Sequence, residues 1–287
     1  MRSNRRNLYF IYLIRINPRI IIGVAILLGF VLCALLAPWI SPYDPIKIDL
    51  RVKYKPPSAK HLLGTDYVGR DVLSRLIWGT RVSLLTSILA IGFAAVFGLL
   101  LGVSSGYFGG VTDMIISRFV DIMLALPAFI MAIILMGVLG RGFTNMILAI
   151  GVGMSPRIAR VVRGAALKIK ENEFVEAART FGYGDWRIIF RHIIPHCMTP
   201  VVVYATLLLG SAVMLEAGLS FLGLGIAPPA ASWGLMVTEG ADVMRNLPWI
   251  VSAAGFCIVL LVLGFNLLGD GLRDQLDPRL RGEVVQE

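Results

Sequence analysis

Apolar and polar positions in this chain come in long blocks rather than in short alternation. Seven stretches contain no Asp, Glu, Lys or Arg: 20–40, 82–112, 122–140, 142–156, 192–215, 217–238 and 246–269. About 20 mostly apolar helical residues cross a hydrocarbon core of about 30 Å, and most of the stretches reach that length. The shortest, 142–156, continues as a helix past Arg157 and Arg160, whose long stems snorkel to the interface. The stretch 217–238 reads AGLSFLGLGIAPPAASWGLMVT, and its central Pro228-Pro229 pair removes two backbone donors. It is expected to form an irregular or interfacial segment after the fifth span. The pattern therefore predicts an all-α polytopic membrane protein with six transmembrane helices.

Two polar segments between the blocks carry patterns of their own. The first, 41–81, opens with the turn sequence SPYDP and carries Pro56-Pro57. After Gly64-Thr65-Asp66 it predicts a short amphipathic helix capped by Asp71, with Val72, Leu73, Leu76 and Ile77 on one face. Asp71 and Arg75 are placed to pair at i,i+4. This helix is expected to lie in the outer interface and lead into the second span. His61 stands alone in the loop as a surface or packing residue.

The second polar segment, Lys170–Pro195, reads KENEFVEAARTFGYGDWRIIFRHIIP between two long apolar runs. Asn172 is a plausible N-cap, and Glu173 and Glu176 suit the positive end of a helix. Phe174, Ala177, Ala178 and Phe181 fall at i, i+3, i+4 and i+7, a single apolar stripe. Gly182 is suited to the left-handed turn that ends a helix. Asp185 is expected to cap a second short helix, WRIIFRHII, terminated by Pro195 before the next span. Such a segment between two spans reads as a docking element for another protein. The alternative is a stripe buried against the chain's own spans.

Composition agrees with the membrane reading: 57% of the 287 residues are hydrophobic and 16% charged, against roughly 25% charged in average soluble domains. The first 19 residues hold Arg2, Arg5, Arg6, Arg15 and Arg19 with no acid, which places the N-terminus in the cytoplasm. Six spans then put the segment 157–194 and the C-terminal tail inside as well. Much of the net charge of +9 sits at these cytoplasmic span ends, facing anionic lipid. No basic stripe is interleaved with aromatics, so no nucleic-acid partner is expected. The stretch 20–40 is longer than a secretory signal core and is expected to remain as an uncleaved first span. The three cysteines, Cys33, Cys197 and Cys257, imply no disulfide framework.

Catalytic chemistry finds little to work with. The chain has no Gly-Lys dipeptide, hence no phosphate-binding loop, and no H-E-x-x-H motif, and no G-x-S-x-G nucleophile elbow is expected. His192 and His196 stand four apart, but Pro195 is expected to interrupt their helix and no acidic or Cys cluster accompanies them. No metal site or bound cofactor is expected. Asp113 and Asp121 flank Arg118 near the inner end of the third span, where local pairing is expected. Glu216 lies near the outer end of the fifth span, either facing a pathway or capping the irregular segment behind it.

Glu176-Ala177-Ala178, Gly182 four residues on, and Pro195 resemble the coupling signature of ATP-binding-cassette importer permeases. The family's Ile-x-Leu-Pro ending is here His192, Ile193, Ile194 and Pro195, closer to the R-H-I-L-P often found in the dipeptide/oligopeptide/nickel branch. HLLGTDYVGRDVLSRLIWGTRVSL (61–84), EAGLSFLGLGIAPPAASWGLM (216–236) and FNLLGDGLRDQLDPRLRG (265–282) are similar to three further blocks of that branch. The resemblance implies a permease subunit of a peptide importer in the bacterial cytoplasmic membrane, with both termini cytoplasmic.

It also implies an organisation: a cytoplasmic tail 1–19, a first helix and extracytoplasmic loop 20–81, a five-helix permease core 82–270 with a coupling segment 166–195, and a cytoplasmic tail 271–287. The implied partners are a homologous second permease, two cytoplasmic ATPase subunits that hydrolyse the ATP, an extracytoplasmic solute-binding protein, and membrane lipid. Glu176, Ala177, Ala178, Gly182 and Pro195 would then couple to an ATPase, with Phe174 and Phe181 on the apolar face of the coupling helix. Glutathione or nickel complexes are alternative cargoes. A secondary transporter is an alternative class, but no internal repeat or midplane acid pair supports it.

Overall fold

A computed structural model describes residues 18–276. The expected tails 1–19 and 271–287 lie largely outside them, as do Arg2, Arg5, Arg6, Arg15 and the end of the block 265–282. The helices are α1 (Pro18–Ile40), α2 (Val72–Phe108), α3 (Gly110–Ala125), α4 (Ala128–Leu139), α5 (Phe143–Ile169), α6 (Glu173–Thr180), α7 (Asp185–Ile188), α8 (Ile194–Phe221), α9 (Trp233–Ala241) and α10 (Pro248–Leu276). A π-helical turn, Ile189–Ile193, joins α7 to α8. Among the described residues, five helical segments are long and apolar enough to cross a membrane, or six when the bent pair α3–α4 counts as one.

That bent pair departs from the straight third span expected at 122–140. The two helices meet at 92° across Leu126-Pro127. Pro127 offers no amide hydrogen and forces its predecessor out of the helical region; Leu126 accordingly sits at φ −93°, ψ 131°. The loop 41–71 also departs from expectation. No separate interfacial helix precedes the second span, because residues from Val72 onward belong to the continuous α2. Val72, Ser74, Arg75 and Leu76 are all buried, so this first turn is enclosed on more than one side. Asp71 does cap it, with Oδ2 accepting from the Ser74 amide at 2.8 Å.

The described residues form two compact units. One is built from the chain up to Leu85 and the chain from Leu209 onward; the other is Thr86–Leu208. In the first, α1 packs along α10 with small residues at the seam. A Cβ on Gly264 would lie 2.9 Å from Ile26 Cγ2, and one on Gly271 would lie 2.3 Å from Ile20 Cγ1. Trp233, fully buried, anchors this unit and donates from Nε1 to the Leu76 carbonyl at 3.0 Å. The irregular segment expected after the fifth span covers Leu222–Ser232. It ends where Ser232 accepts from the Leu235 amide and starts α9, whose Trp233, Leu235 and Met236 are buried.

The second unit is held by a glycine ladder. Gly98, Gly102 and Gly106 recur every four residues on one face of α2 and face α5. A Cβ on Gly102 would come within 2.5 Å of the Ala159 carbonyl oxygen, and one on Gly106 within 2.8 Å of Ala166 Cβ. Spacing small residues by four lets two membrane helices approach to backbone contact, where dispersion forces act over their length.

Candidate functional site

The polar segment after α5 folds as helix, turn and helix, and its turn is set by backbone rather than side-chain bonds. The Phe181 amide donates to the Ala177 carbonyl at 2.9 Å and the Tyr183 amide to the Ala178 carbonyl at 3.1 Å. Between them Gly182 sits at φ +77°, a conformation that a side chain disfavours. Asn172 holds the N-cap position, but its side chain makes no capping bond.

The expected four-residue stripe divides in two. Val175 and Ala178 are the buried positions of α6, while Phe174, Glu176 and Ala177 face outward. Ala178 therefore points away from the face it was grouped with. Phe181 is 79% exposed, and Trp186 and Phe190 on the following turns are 70% and 61% exposed. Phe174 is half-covered because its ring stacks on His196 at 5.0 Å. The segment thus presents several large apolar side chains together on a surface otherwise rich in charge, the mark of an interaction face.

Two expectations about the second helix are corrected. Asp185 does not cap it: Gly184 occupies that position, and the Asp185 carboxylate accepts from the Tyr107 hydroxyl at 2.7 Å. Pro195 does not terminate it either. The π-turn widens the backbone, with the Ile194 amide donating to the Ile189 carbonyl, and Pro195 enters the first turn of α8. A π-turn relieves the clash between a proline ring and the preceding helical carbonyl, so the chain runs on as helix. His192 in the π-turn and His196 in α8 lie on consecutive helical segments, so the chain stays helical between them although its bonding pattern changes, and His196 Nδ1 donates to the His192 carbonyl at 2.6 Å.

The acids at membrane depth find distant partners. Asp113 does not pair with Arg118. Arg163 on α5 holds it through Nε and Nη2, each at 2.6 Å. Ser105 and Ser117 hydroxyls also donate to Asp113, and Arg160 Nη2 reaches Asp121 at 2.7 Å. A cavity of about 340 Å³ opens here, lined by Ser105, Ser117, Asp121, Arg160 and Arg163 and by apolar residues such as Leu101 and Val120. Glu216 is fully buried and accepts from Ser83 at 3.0 Å and Ser220 at 2.9 Å. Those bonds fasten α8 to α2 within the first unit.

One network was invisible to local spacing. Arg75 does not pair with Asp71; it bridges Asp66 at 3.1 Å and Glu239 at 2.9 Å. Arg70 bonds the same two acids, at 2.6 Å to Asp66 and 3.0 Å to both Glu239 oxygens. Burial by itself lowers the pKa of the Arg70 guanidinium, but Asp66 and Glu239 outweigh it and the net direction is upward. His61, expected to stand alone, lies with Nδ1 2.9 Å from Asp71 Oδ1 and its ring 4.7 Å from that of Tyr43. Together these contacts pin the loop 41–71 onto α2 and α9.

Gly102-Val103-Ser104-Ser105-Gly106 has the G-x-S-x-G spacing of a hydrolase nucleophile. It lies inside the continuous helix α2, not at the strand-to-helix turn such a nucleophile needs.

Comparison with known proteins places these features in context. The family described as binding-protein-dependent transport system inner membrane component matches residues 98–282. The N-terminal TM domain of oligopeptide transport permease C matches residues 13–57. Dipeptide transport system permease protein DppC of Alkalihalophilus pseudofirmus is 40% identical over 92% of this chain and 87% of that protein. Di/tripeptide transport system permease protein DppC of Pseudomonas aeruginosa is 42% identical over 90% and 88%. Glutathione transport system permease protein GsiD of Pectobacterium atrosepticum is 39% identical over 90% and 86%. Among solved structures, a chain of the inward-facing MetNI methionine ABC transporter aligns with a TM-score of 0.57 at 22% identity, over 71% of this chain and 97% of that one. At that identity the likeness is one of fold.

Proposed function

The chain belongs to the binding-protein-dependent transport system inner membrane components, and from that membership we propose that it carries peptides and is driven through the helix Glu176–Gly182. As a family member it is a multi-pass permease subunit of an ATP-binding-cassette importer, which sets aside the secondary-transporter alternative. The finer reading assigns it a homologous second permease, two cytoplasmic ATPase subunits and an extracytoplasmic solute-binding protein. Both termini lie in the cytoplasm. The chain binds no cofactor, and ATP is hydrolysed by the partner subunits.

The observation that carries the coupling role is the outward apolar face of the segment between α5 and α8. Among the described residues, Phe181, Trp186 and Phe190 are largely exposed, while Val175 and Ala178 of the same segment are buried. A cleft on an ATPase subunit would bury the exposed rings, with Ala177 allowing close approach and Glu176 at the rim. When the ATPases close, the segment moves as a lever. Its Gly182 turn and its bonded joint to α2 pass that motion to the spans, with α8 connected through the π-turn. Rocking about a central pathway then alternates access.

Short peptides are the proposed cargo because relatives named for dipeptide and di/tripeptide transport reach 40% and 42% identity. Glutathione is the second reading, since a relative named for it reaches 39% and glutathione is itself a modified tripeptide. The test is uptake of labelled dipeptide, tripeptide and glutathione in host cells with and without the gene. Loss of peptide uptake on deletion, restored by the wild-type chain, supports the first reading. Loss of glutathione uptake alone supports the second, and unchanged uptake of all three sinks both.

A further inference from the structure

Tyr107 is the penultimate residue of α2 and is 5% exposed, yet its hydroxyl reaches out to Asp185 at 2.7 Å. The face of its ring carries a second contact: the Arg179 guanidinium lies 5.5 Å from the ring centre. Arg179 belongs to the last turn of α6 and Asp185 opens α7, so the two contacts straddle the Gly182 turn. One side chain from the second span thus holds both arms of the polar segment.

The neighbouring residue extends this joint. Gly106 is the last rung of the glycine ladder, and its close approach to Ala166 ties the same end of α2 to α5. Helix α5 runs directly into the polar segment through Lys170. The inner end of α2, the end of α5 and the α6–α7 turn are therefore joined in a closed ring of contacts. The exit toward α8 is different in kind. It passes through the π-turn Ile189–Ile193 and then Pro195 and Pro200, where regular helical hydrogen bonding is broken.

We infer that Tyr107 is a positioning residue that latches the polar segment to the second span, so that α2, α5 and the α6–α7 turn move as one body while the π-turn gives. The inference rests on the proposed docking role of the segment. It adds which span receives the motion directly and which receives it across a hinge.

The full importer, assembled in nanodiscs, tests this with two bioorthogonal spin labels on exposed positions, at Leu100 on α2 and at Phe181. Pulsed dipolar distances are recorded without nucleotide and with ATP–vanadate. The wild-type distance is expected to stay constant between the two states. Tyr107→Phe keeps the ring under Arg179 but loses the bond to Asp185, and should let the distance shift by about 2 Å, the scale of helix sliding in such transitions. Asp185→Ala should do the same, the double variant should add nothing, and Asp185→Asn, which keeps an acceptor oxygen, should behave as wild type.

A wild-type distance that changes with nucleotide, or a Tyr107→Phe distance that does not, overturns the latch. The docking role is read separately, from the Phe181 label alone. If adding the ATPase subunits leaves it as accessible to a water-soluble relaxing agent as before, that role fails and the latch with it.

Discussion

Arg163 holds Asp113 through two parallel bonds of 2.6 Å, tying α5 to α3 across fifty positions of sequence. A two-pronged guanidinium–carboxylate pair fixes orientation as well as distance. The Arg163 side chain is 38% exposed, so water screens part of the attraction. Asp113→Ala is expected to lower stability by about 1 kcal/mol after that discount, seen as an earlier thermal transition of the detergent-solubilised complex. Exchanging the two residues, Asp113→Arg with Arg163→Asp, should recover part of the loss, which a purely local role for Asp113 would not allow.

The network of Asp66, Arg70, Arg75 and Glu239 makes a stronger prediction because it is buried. Glu239→Ala removes a carboxylate that two buried guanidinium groups share. Asp66 would then stand alone against both guanidinium groups, and breaking a buried ion pair by removing one partner costs about 3–5 kcal/mol. The loop 41–71 should then become cleavable by added protease while wild type resists. Equal resistance in both would mean the loop is held by other contacts.

The glycine ladder predicts a contrast within one helix. Gly102→Val forces a side chain into the Ala159 backbone, whereas Gly92 has no neighbour within 4 Å of an added Cβ. Overpacking of this kind costs about 1–3 kcal/mol or more. Gly102→Val should therefore fail to accumulate in the membrane, and Gly92→Ala should accumulate normally. Similar yields from the two would remove the ladder as the basis of α2–α5 packing.

Glu216 has two hydroxyl donors and no exposure. Glu216→Gln keeps an acceptor for them and is expected to preserve folding. Glu216→Leu removes the acceptor of both bonds, and losing a buried hydrogen bond of this kind costs about 1–3 kcal/mol. Thermal unfolding of the two variants side by side checks this. A leucine variant as stable as wild type would show that the serines find other partners.

What the sequence made legible follows from range. The spans were readable because a membrane demands long charge-free runs, and these need no knowledge of what lies beside them. The Gly182 turn was readable for the same reason: a left-handed residue is a local requirement. Local spacing points Arg75 to Asp71, four positions away, whereas its partner Glu239 lies 164 positions away. The same local logic points Asp113 to Arg118, whereas its partner Arg163 lies fifty positions away. The bend at Pro127 does have a local signal, a proline within an apolar run. The Gly98-Gly102-Gly106 spacing was also in plain view, but glycine carries no charge to draw attention within a hydrophobic stretch. The division of the Phe174–Phe181 stripe depends on which side the rest of the chain covers, and spacing alone does not contain that.

The most direct test of the central claim places a photo-crosslinking residue at three positions of the polar segment in whole cells. Ala177 and Phe181 lie on the exposed face, and Val175 is fully buried. The docking account predicts crosslinks to an ATPase subunit from Ala177 and Phe181 and none from Val175. It also predicts loss of those crosslinks in Gly182→Val, whose side chain opposes the +77° turn. Absence of ATPase crosslinks from both exposed positions, in a complex that still transports, would contradict it.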